Sequence, residues 1–320
     1  MIINESPVLC VSRCLGFENC RFNGGMVRDN TIESLRNHVE FITVCPECDI
    51  GLPTPREALR IIEKAGSHFL VESKSLYDYT DQLTCFSKEF TDNLGEVDAF
   101  IFKSRSPSCG IKDVKIYSNS GGGGPSKKGK GIFAEILSEK FPGYPMEDEG
   151  RLSNFNIREA FLTKLFILSE FRFIKREFSM DALLNFHTRN KMLLNSFSIK
   201  ESREMGRILA NHQHYQPGEL YRLYEYHLRL ALSRSARYTT NINILQHAFG
   251  YFSKDISTAE KQFILDSIEK YRKGQLPLST PLNIVKAYII RFDIGYLKSQ
   301  SFFEPYPAEL VEMRDSGKLV

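Results

Sequence analysis

Three short β-rich runs in the first half of the chain each end at or just before a cysteine, with Gly or Pro close by. That pattern limits the fold more than any other feature. Val8-Leu9-Cys10-Val11-Ser12 runs into Arg13-Cys14-Leu15-Gly16, and Phe41-Ile42-Thr43-Val44 runs into Cys45-Pro46-Glu47-Cys48. Ala99-Phe100-Ile101-Phe102 leads to Ser106-Pro107-Ser108-Cys109-Gly110. Apolar runs of this length read as buried strands, and Pro and Gly then break regular structure. Parallel strands carry their C-terminal ends to one sheet edge, where open α/β sheets bind ligands. Cys14, Cys45 and Cys109 would converge there despite their separation in sequence. A lone cysteine is more often a small buried hydrophobe; three at strand ends point to a site.

Between these runs the first half alternates helices and strands, the signature of a parallel sheet with helices on its faces. A short helix begins near Thr31, with Asn30 or Thr31 as its cap. Thr54, followed by Pro55 and Glu57, has capping-box spacing and predicts a helix with Leu59, Ile62 and Ala65 on its apolar face. Residues 67–72 read as a strand, 75–94 as a helix and 132–141 as another helix. The stretch 118–131, with Gly121-Gly122-Gly123-Gly124 and Lys127, Lys128 and Lys130, reads as a loop. It is also a candidate phosphate-gripping flap, although the P-loop pattern is absent. Residues 142–151 read as a connector. From Phe155 onward the pattern is almost wholly helical, with a capping box at Ser257 and Glu260. No repeat period appears, so this half is a compact bundle and not a solenoid. A chain of 320 residues favours two domains. These are an α/β, parallel-sheet, Rossmann-like domain over residues 1–155 and an all-α domain over residues 156–320.

With no apolar run of 18 residues and no basic, apolar leader, the chain reads as cytoplasmic and without a membrane span. Its seven cysteines there suggest metal or catalysis more than disulfides. The net charge of +3 hides an asymmetry. Residues 1–150 carry 17 basic and 22 acidic residues, the remainder 25 and 17, so −5 is joined to +8. A basic half hints at a polyanionic partner. Basic and aromatic residues interleave there, in Phe186-His187-Thr188-Arg189-Asn190-Lys191 and around Arg234, Arg237 and Tyr238. Such residues meet phosphates and unpaired bases, which makes Arg189 and Lys191 candidate RNA contacts, with an internal salt bridge as the other reading of Arg189. His212 and His214 stand two apart and do not share a helix face, so they are not read as a metal pair.

Three chemistries compete for the cysteines. Cys45-Pro46-Glu47-Cys48 could be a redox dithiol, but that needs a helix start, and residues 49–53 argue against a helix. A structural zinc site wants a second knuckle of the same kind, which is missing. An iron–sulfur cluster on three thiolates fits better and leaves one iron open.

Val11-Ser12-Arg13-Cys14-Leu15-Gly16 with Arg21-Phe22-Asn23-Gly24-Gly25 resembles the TudS-type thiouracil desulfidase domain. So do Cys45-Pro46-Glu47 with Gly51-Leu52-Pro53-Thr54-Pro55-Arg56, and Lys103-Ser104-Arg105-Ser106-Pro107-Ser108-Cys109-Gly110. The second half resembles the YbgA-like helical domain through residues 186–191, 243–247, 250–252 and 274–278. The fusion is similar to RudS-type tRNA 4-thiouridine desulfidases. The resemblance implies a [4Fe-4S] cluster on Cys14, Cys45 and Cys109, with Glu47 and Ser106 as the catalytic acid–base pair. It implies thiolated tRNA as partner and sulfide as product. Cys48 departs from the pattern, because relatives carry an apolar residue there, which leaves open whether Cys45 or Cys48 ligates. Cys10 reads as a strand core residue and Cys20 as a turn residue. Two other functions stay open: a desulfidase of free thiouracil or another small thiolated compound, and an RNA-binding protein with a structural metal.

Overall fold

The computed structural model describes residues 6–118, 124 and 127–311. The chain divides into two compact units, one running up to Ser169 and the other spanning Glu170–Ala308.

In the first unit, strands β1 (Val8–Ser12), β2 (Glu40–Val44), β5 (Ala99–Phe102) and β8 (Met146–Asp148) form a sheet in the order β2-β1-β5-β8. All of its pairings are parallel. Register sets Ser12 opposite Val44 and Val11 opposite Ile101, so the C-terminal ends of three adjacent strands lie side by side. The chain leaves β1 for β2 on one side and reaches β5 on the other. That reversal of strand order is where open α/β sheets form their binding crevice. Helices α1 (Asn30–Leu35), α3 (Thr80–Asn93) and α4 (Ile132–Lys140) connect these strands. The core contains Cys10, Phe100, Phe102, Phe133 and Leu137, with Phe86 and Phe90 packed against it. Full burial of one such aromatic stabilises by roughly 1.5–3 kcal/mol.

A second sheet, β4-β3-β6-β7, is mixed: β3 (Leu59–Lys64) pairs antiparallel with β4 (Ser67–Glu72) and parallel with β6 (Val114–Tyr117). Strand β7 (Lys127–Gly129) closes it. The helix expected over Leu59, Ile62 and Ala65 is therefore a hairpin strand. Its turn is Ala65-Gly66, both at positive φ (50° and 81°), the conformation that matches the twist of paired strands. Ile61 and Ile62 are β-branched and fully buried, and sheet packing outweighs the capping pattern at Thr54. The helix expected over 75–94 is shorter, starting at Thr80. The connector at 142–151 contains β8 and a turn of helix, α5 (Glu149–Leu152). Gly121–Gly123 lie outside the described residues, and with them the expected flap; Lys127 and Lys128 pair with Glu63 and Asp113 at 2.6 and 3.0 Å.

Helix α6 (Phe155–Lys175) is followed by α7 (Met180–Phe197), α8 (Ile199–Ala210), α9 (Pro217–Leu232) and α10 (Tyr238–Gly250). Then come α11 (Thr258–Arg272), α12 (Ser279–Arg291) and α13 (Gly295–Lys298). The expected capping box at Ser257 and Glu260 is formed in both directions. Within the second unit Phe171 stacks on Tyr224 at 5.7 Å, and Phe252 on Tyr288 at 5.2 Å. No helix among the described residues is long and apolar enough to cross a membrane.

His187 of α7 accepts or donates a hydrogen bond at Tyr224 Oη, 2.9 Å away. Burial, with help from Lys191, pushes its pKa down to about 4. An unfolded chain protonates this histidine near pH 6.5, whereas the folded one does not until about pH 4. Its contribution is therefore intact above pH 6.5 and is lost as pH falls through that window, by an amount on the order of a few kcal/mol. Urea midpoints followed by tyrosine emission should fall between pH 6.5 and 4 for the wild type. His187→Gln should flatten that slope.

Candidate active site

Each expected ligand follows a strand of the parallel sheet. Cys14 lies two residues beyond β1, in a turn closed by Leu15 N donating to Ser12 O at 2.8 Å. Cys45 ends β2 and caps α2 (Pro46–Asp49), a single helical turn with Pro46 at its first position. The sequence argues against a helix here. In the structure the Asp49 carboxylate accepts from Cys45 N at 3.2 Å, and Gly51 (φ 92°) stops the helix after one turn. Cys109 sits in the turn after β5. There Ser106 Oγ accepts from the backbone N–H of Ser108 (3.2 Å) and of Cys109 (3.1 Å), and Gly110 N donates to Ser106 O at 2.9 Å.

The start of α4 locks this turn. Its free N–H groups are satisfied by loop carbonyls rather than a capping side chain: Ile132 N donates to Pro107 O (3.2 Å) and Ala134 N to Ser108 O (3.2 Å). Gly131 N donates to Gly110 O at 2.7 Å, and a Cβ at Gly131 would lie 2.4 Å from Ser108 O. Gly131→Ala should therefore push the Cys109 loop off the helix and cost about 1–3 kcal/mol. A fall in melting temperature together with reduced iron uptake would register it; an unchanged melt would contradict this packing.

Cys14, Cys20, Cys45 and Cys109 line one cavity of about 420 Å³, with Glu47 and Ser106. All four cysteines are nearly inaccessible to solvent. Hydrogen bonding with Cys14 is the largest cause that pushes the Cys20 thiol up, to about 12. Hydrogen bonding with Cys20 and then burial push Cys45 up, and burial does so for Cys109. Metal binding by Cys20, Cys45 or Cys109 would thus release protons. The sulfurs that crowd closest are a different trio: Cys20, Cys45 and Cys48 lie within 4.8 Å of one another. Cys20 is a buried member of this group, its place set by an irregular loop. Cys10 is a core residue of β1, as its strand position implies.

Glu47 is buried and fully engaged. Its Oε2 accepts from Arg56 Nε (2.9 Å) and Nη2 (2.7 Å), and its Oε1 accepts from Ser108 Oγ (2.8 Å). Arg56 also donates to the Cys20 carbonyl at 3.1 Å, so one guanidinium ties the carboxylate to the Cys20 loop. Sequence reasoning did not single out Arg56 and Ser108 as site residues. Both lie inside the motifs, yet only the fold shows that they meet Glu47. Ser108, not Ser106, bonds Glu47; the Ser106 oxygen holds the turn and its O–H is left for the cavity or the Cys109 sulfur. Half-buried Arg21 and exposed Phe22 and Arg105 complete the wall.

A family model described as 2-thiouracil desulfurase matches residues 9–149. YbbK of Bacillus subtilis (strain 168), an uncharacterized protein, is 30% identical over 159 residues, which is 46% of this chain and 99% of YbbK. The chain belongs to the 2-thiouracil desulfurase family. A second model, a protein of unknown function (DUF1722), matches residues 191–307. YbgA of Escherichia coli (strain K12), also uncharacterized, is 31% identical over 163 residues, covering 50% of this chain and 96% of YbgA. A solved structure titled [4Fe-4S]-dependent thiouracil desulfidase TudS aligns with 46% of this chain and 93% of its own. The identity is 25% and the TM-score 0.36. For this member of the desulfurase family, the matched segment contains every cysteine and carboxylate that lines the cavity.

The second unit has its own cleft, of about 850 Å³. Lys191 lines it, exposed, with Arg203, His247 and the stacked pair Tyr251–Tyr296 (5.9 Å). Arg189 is not among the lining residues; it forms an ion pair with Glu170.

Proposed function

We propose that this protein is a [4Fe-4S]-dependent desulfidase that removes sulfur from 4-thiouridine in tRNA. The observation that carries the reading is the convergence of three strand-end thiols, Cys14, Cys45 and Cys109, on one cavity with Glu47. It occurs in a chain of the 2-thiouracil desulfurase family. The donor set fits an iron–sulfur cluster: the thiols are soft, come from three separate loops and leave no fourth thiol obligatory. When bound, the cluster would supply a thiophilic Lewis acid that polarises the C–S bond.

The overall change is thiocarbonyl plus water giving carbonyl plus hydrogen sulfide, with no net oxidation. Glu47 takes the proton of the attacking water. Arg56 and Ser108 hold the carboxylate by three hydrogen bonds, so its aim is fixed before substrate arrives. Ser106 donates its O–H toward the reacting group, while its oxygen is pinned by two backbone N–H groups. The buried walls restrict bulk water to what the reaction uses.

A polyanion suits the cavity better than a free base does. Arg21 and Arg105 offer cations to phosphate, and the exposed ring of Phe22 offers a stacking face to a base. The cleft of the helical unit repeats the combination with Lys191, Arg203 and the Tyr251–Tyr296 pair. In this reading the helical unit grips tRNA while the first unit handles the base. Because Arg189 is paired with Glu170, the phosphate contacts fall to Lys191 and Arg203.

Affinity for tRNA should fall steeply with salt. Lys191→Ala and Arg203→Ala should each reduce the slope of log K against log salt by about one unit. Turnover of free 4-thiouracil by the same variants should be unchanged. An unchanged slope in both variants would remove this cleft from tRNA binding and favour a small-molecule substrate.

A further inference from the structure

We propose that Cys20, Cys45 and Cys48 form a site for a single thiophilic divalent ion such as Zn²⁺. It is distinct from the cluster set and shares only Cys45 with it. The three sulfurs lie within 4.8 Å of one another. A tetrahedral zinc–sulfur bond of about 2.3 Å sets ligand sulfurs about 3.8 Å apart. Three sulfurs this close need move by only about an ångström to share one ion. A cluster presents a separate iron to each thiolate, so its ligand sulfurs stand farther apart than those on one ion.

The local build supports the ion. Cys45 caps the single turn of α2 and Cys48 lies within it three residues on, which brings their sulfurs within 4.8 Å of each other. Cys20 comes from the loop before β2 and is held over that turn by its own carbonyl. The carbonyl accepts from Arg56 Nη1 and Nη2, both at 3.1 Å, and lies 3.6 Å from Cys48 Sγ. Arg56 Nη1 is also 3.6 Å from Cys48 Sγ, a cation placed to offset the charge of a thiolate. Cys48 is not among the residues lining the active-site cavity, and Cys14 and Cys109 are not in the close trio. The desulfidase chemistry therefore leaves Cys48 without a task, and the ion gives it one.

Since Cys45 cannot serve both sets, zinc and cluster loading exclude each other. Zinc held here would keep the protein inactive until iron and sulfide displaced it.

The test uses full-length protein, stripped by chelator under anaerobic conditions and titrated with Zn²⁺ or Co²⁺. The wild type should bind one ion, and the cobalt form should show thiolate charge-transfer and tetrahedral ligand-field bands. Cys48→Ser and Cys20→Ser should each lose the three-sulfur signature in X-ray absorption. Cys14→Ser and Cys109→Ser should keep it. Zinc-preloaded wild type should fail to take up iron, whereas Cys48→Ser exposed to the same zinc should take it up. Circular dichroism checks that each variant is folded, and Cys48→Ser, at the least buried of the three positions, keeps the test decisive if Cys20→Ser is not. Wild-type zinc binding by Cys48→Ser, or an ion lost in Cys14→Ser, would overturn the proposal. If the wild type binds zinc through these three thiols but never takes up iron, the cluster reading fails while the zinc site stands.

Discussion

Cys45→Ala should abolish both the brown chromophore and sulfide release, the largest effect expected of any single substitution in this chain. Only Cys20 and Cys45 belong to both groupings of thiols, and of the two only Cys45 ends a strand of the parallel sheet. It lines the cavity with Cys14 and Cys109, and it lies within 4.8 Å of Cys20 and Cys48. It also caps α2, so its position is fixed by Pro46 and by the Asp49 carboxylate bonded to its own N–H. Cys14→Ala and Cys109→Ala should lose the cluster too. Cys85→Ala, at an exposed position of α3, should keep it. Iron and acid-labile sulfide per chain, measured after anaerobic reconstitution, separate these cases. If Cys48→Ala loses the cluster and Cys45→Ala retains it, the ligand assignment is wrong.

Glu47→Gln should retain the cluster yet slow turnover by ~10²–10⁴-fold, the usual contribution of a positioned acid or base. The amide preserves the shape and can still meet Ser108, but it removes the charge opposite Arg56. Both side chains of that pair are largely buried, at 4% and 12% exposure, so an unpaired Arg56 also destabilises, by ~3–5 kcal/mol if nothing compensates. The two effects separate by assay. Stability loss lowers the fraction of loaded enzyme, whereas a proton-transfer role lowers the rate per cluster and alters its pH profile. Turnover per cluster should therefore be the quantity compared. Arg56→Lys, which keeps a cation but cannot form the two-pronged contact, should be intermediate. A normal rate per cluster in Glu47→Gln would remove the carboxylate from the mechanism.

The parallel sheet was legible because its strands are short apolar runs punctuated by Gly and Pro, and parallel strands bury both faces. That alone brought Cys14, Cys45 and Cys109 to one edge. The second strand of the hairpin, Ser67–Glu72, was legible, but the first, Leu59–Lys64, was not, because Leu59 and Ile62 satisfy a helical period over so short a span and Thr54 mimics a cap. Tertiary context decided it through the burial of Ile61, Ile62 and Leu70. The place of Cys20 could not be read either. It lies in an irregular loop with no local period, held by a guanidinium from 36 residues away. The Glu47–Ser108 contact spans 61 residues, so no spacing rule reports it. Arg189 reads from sequence as either an RNA contact or half of an internal ion pair, and its neighbour Glu170, 19 positions earlier on α6, decides for the pair.

Full-length protein, reconstituted anaerobically with iron and sulfide, is given tRNA containing 4-thiouridine. Nucleosides and released sulfide are then quantified against metal-free protein and against free 4-thiouracil. One sulfide and one uridine should form for each 4-thiouridine consumed, only with the loaded protein, and faster on tRNA than on the free base. Loss of 4-thiouracil with no uridine formed in tRNA would contradict tRNA as the substrate.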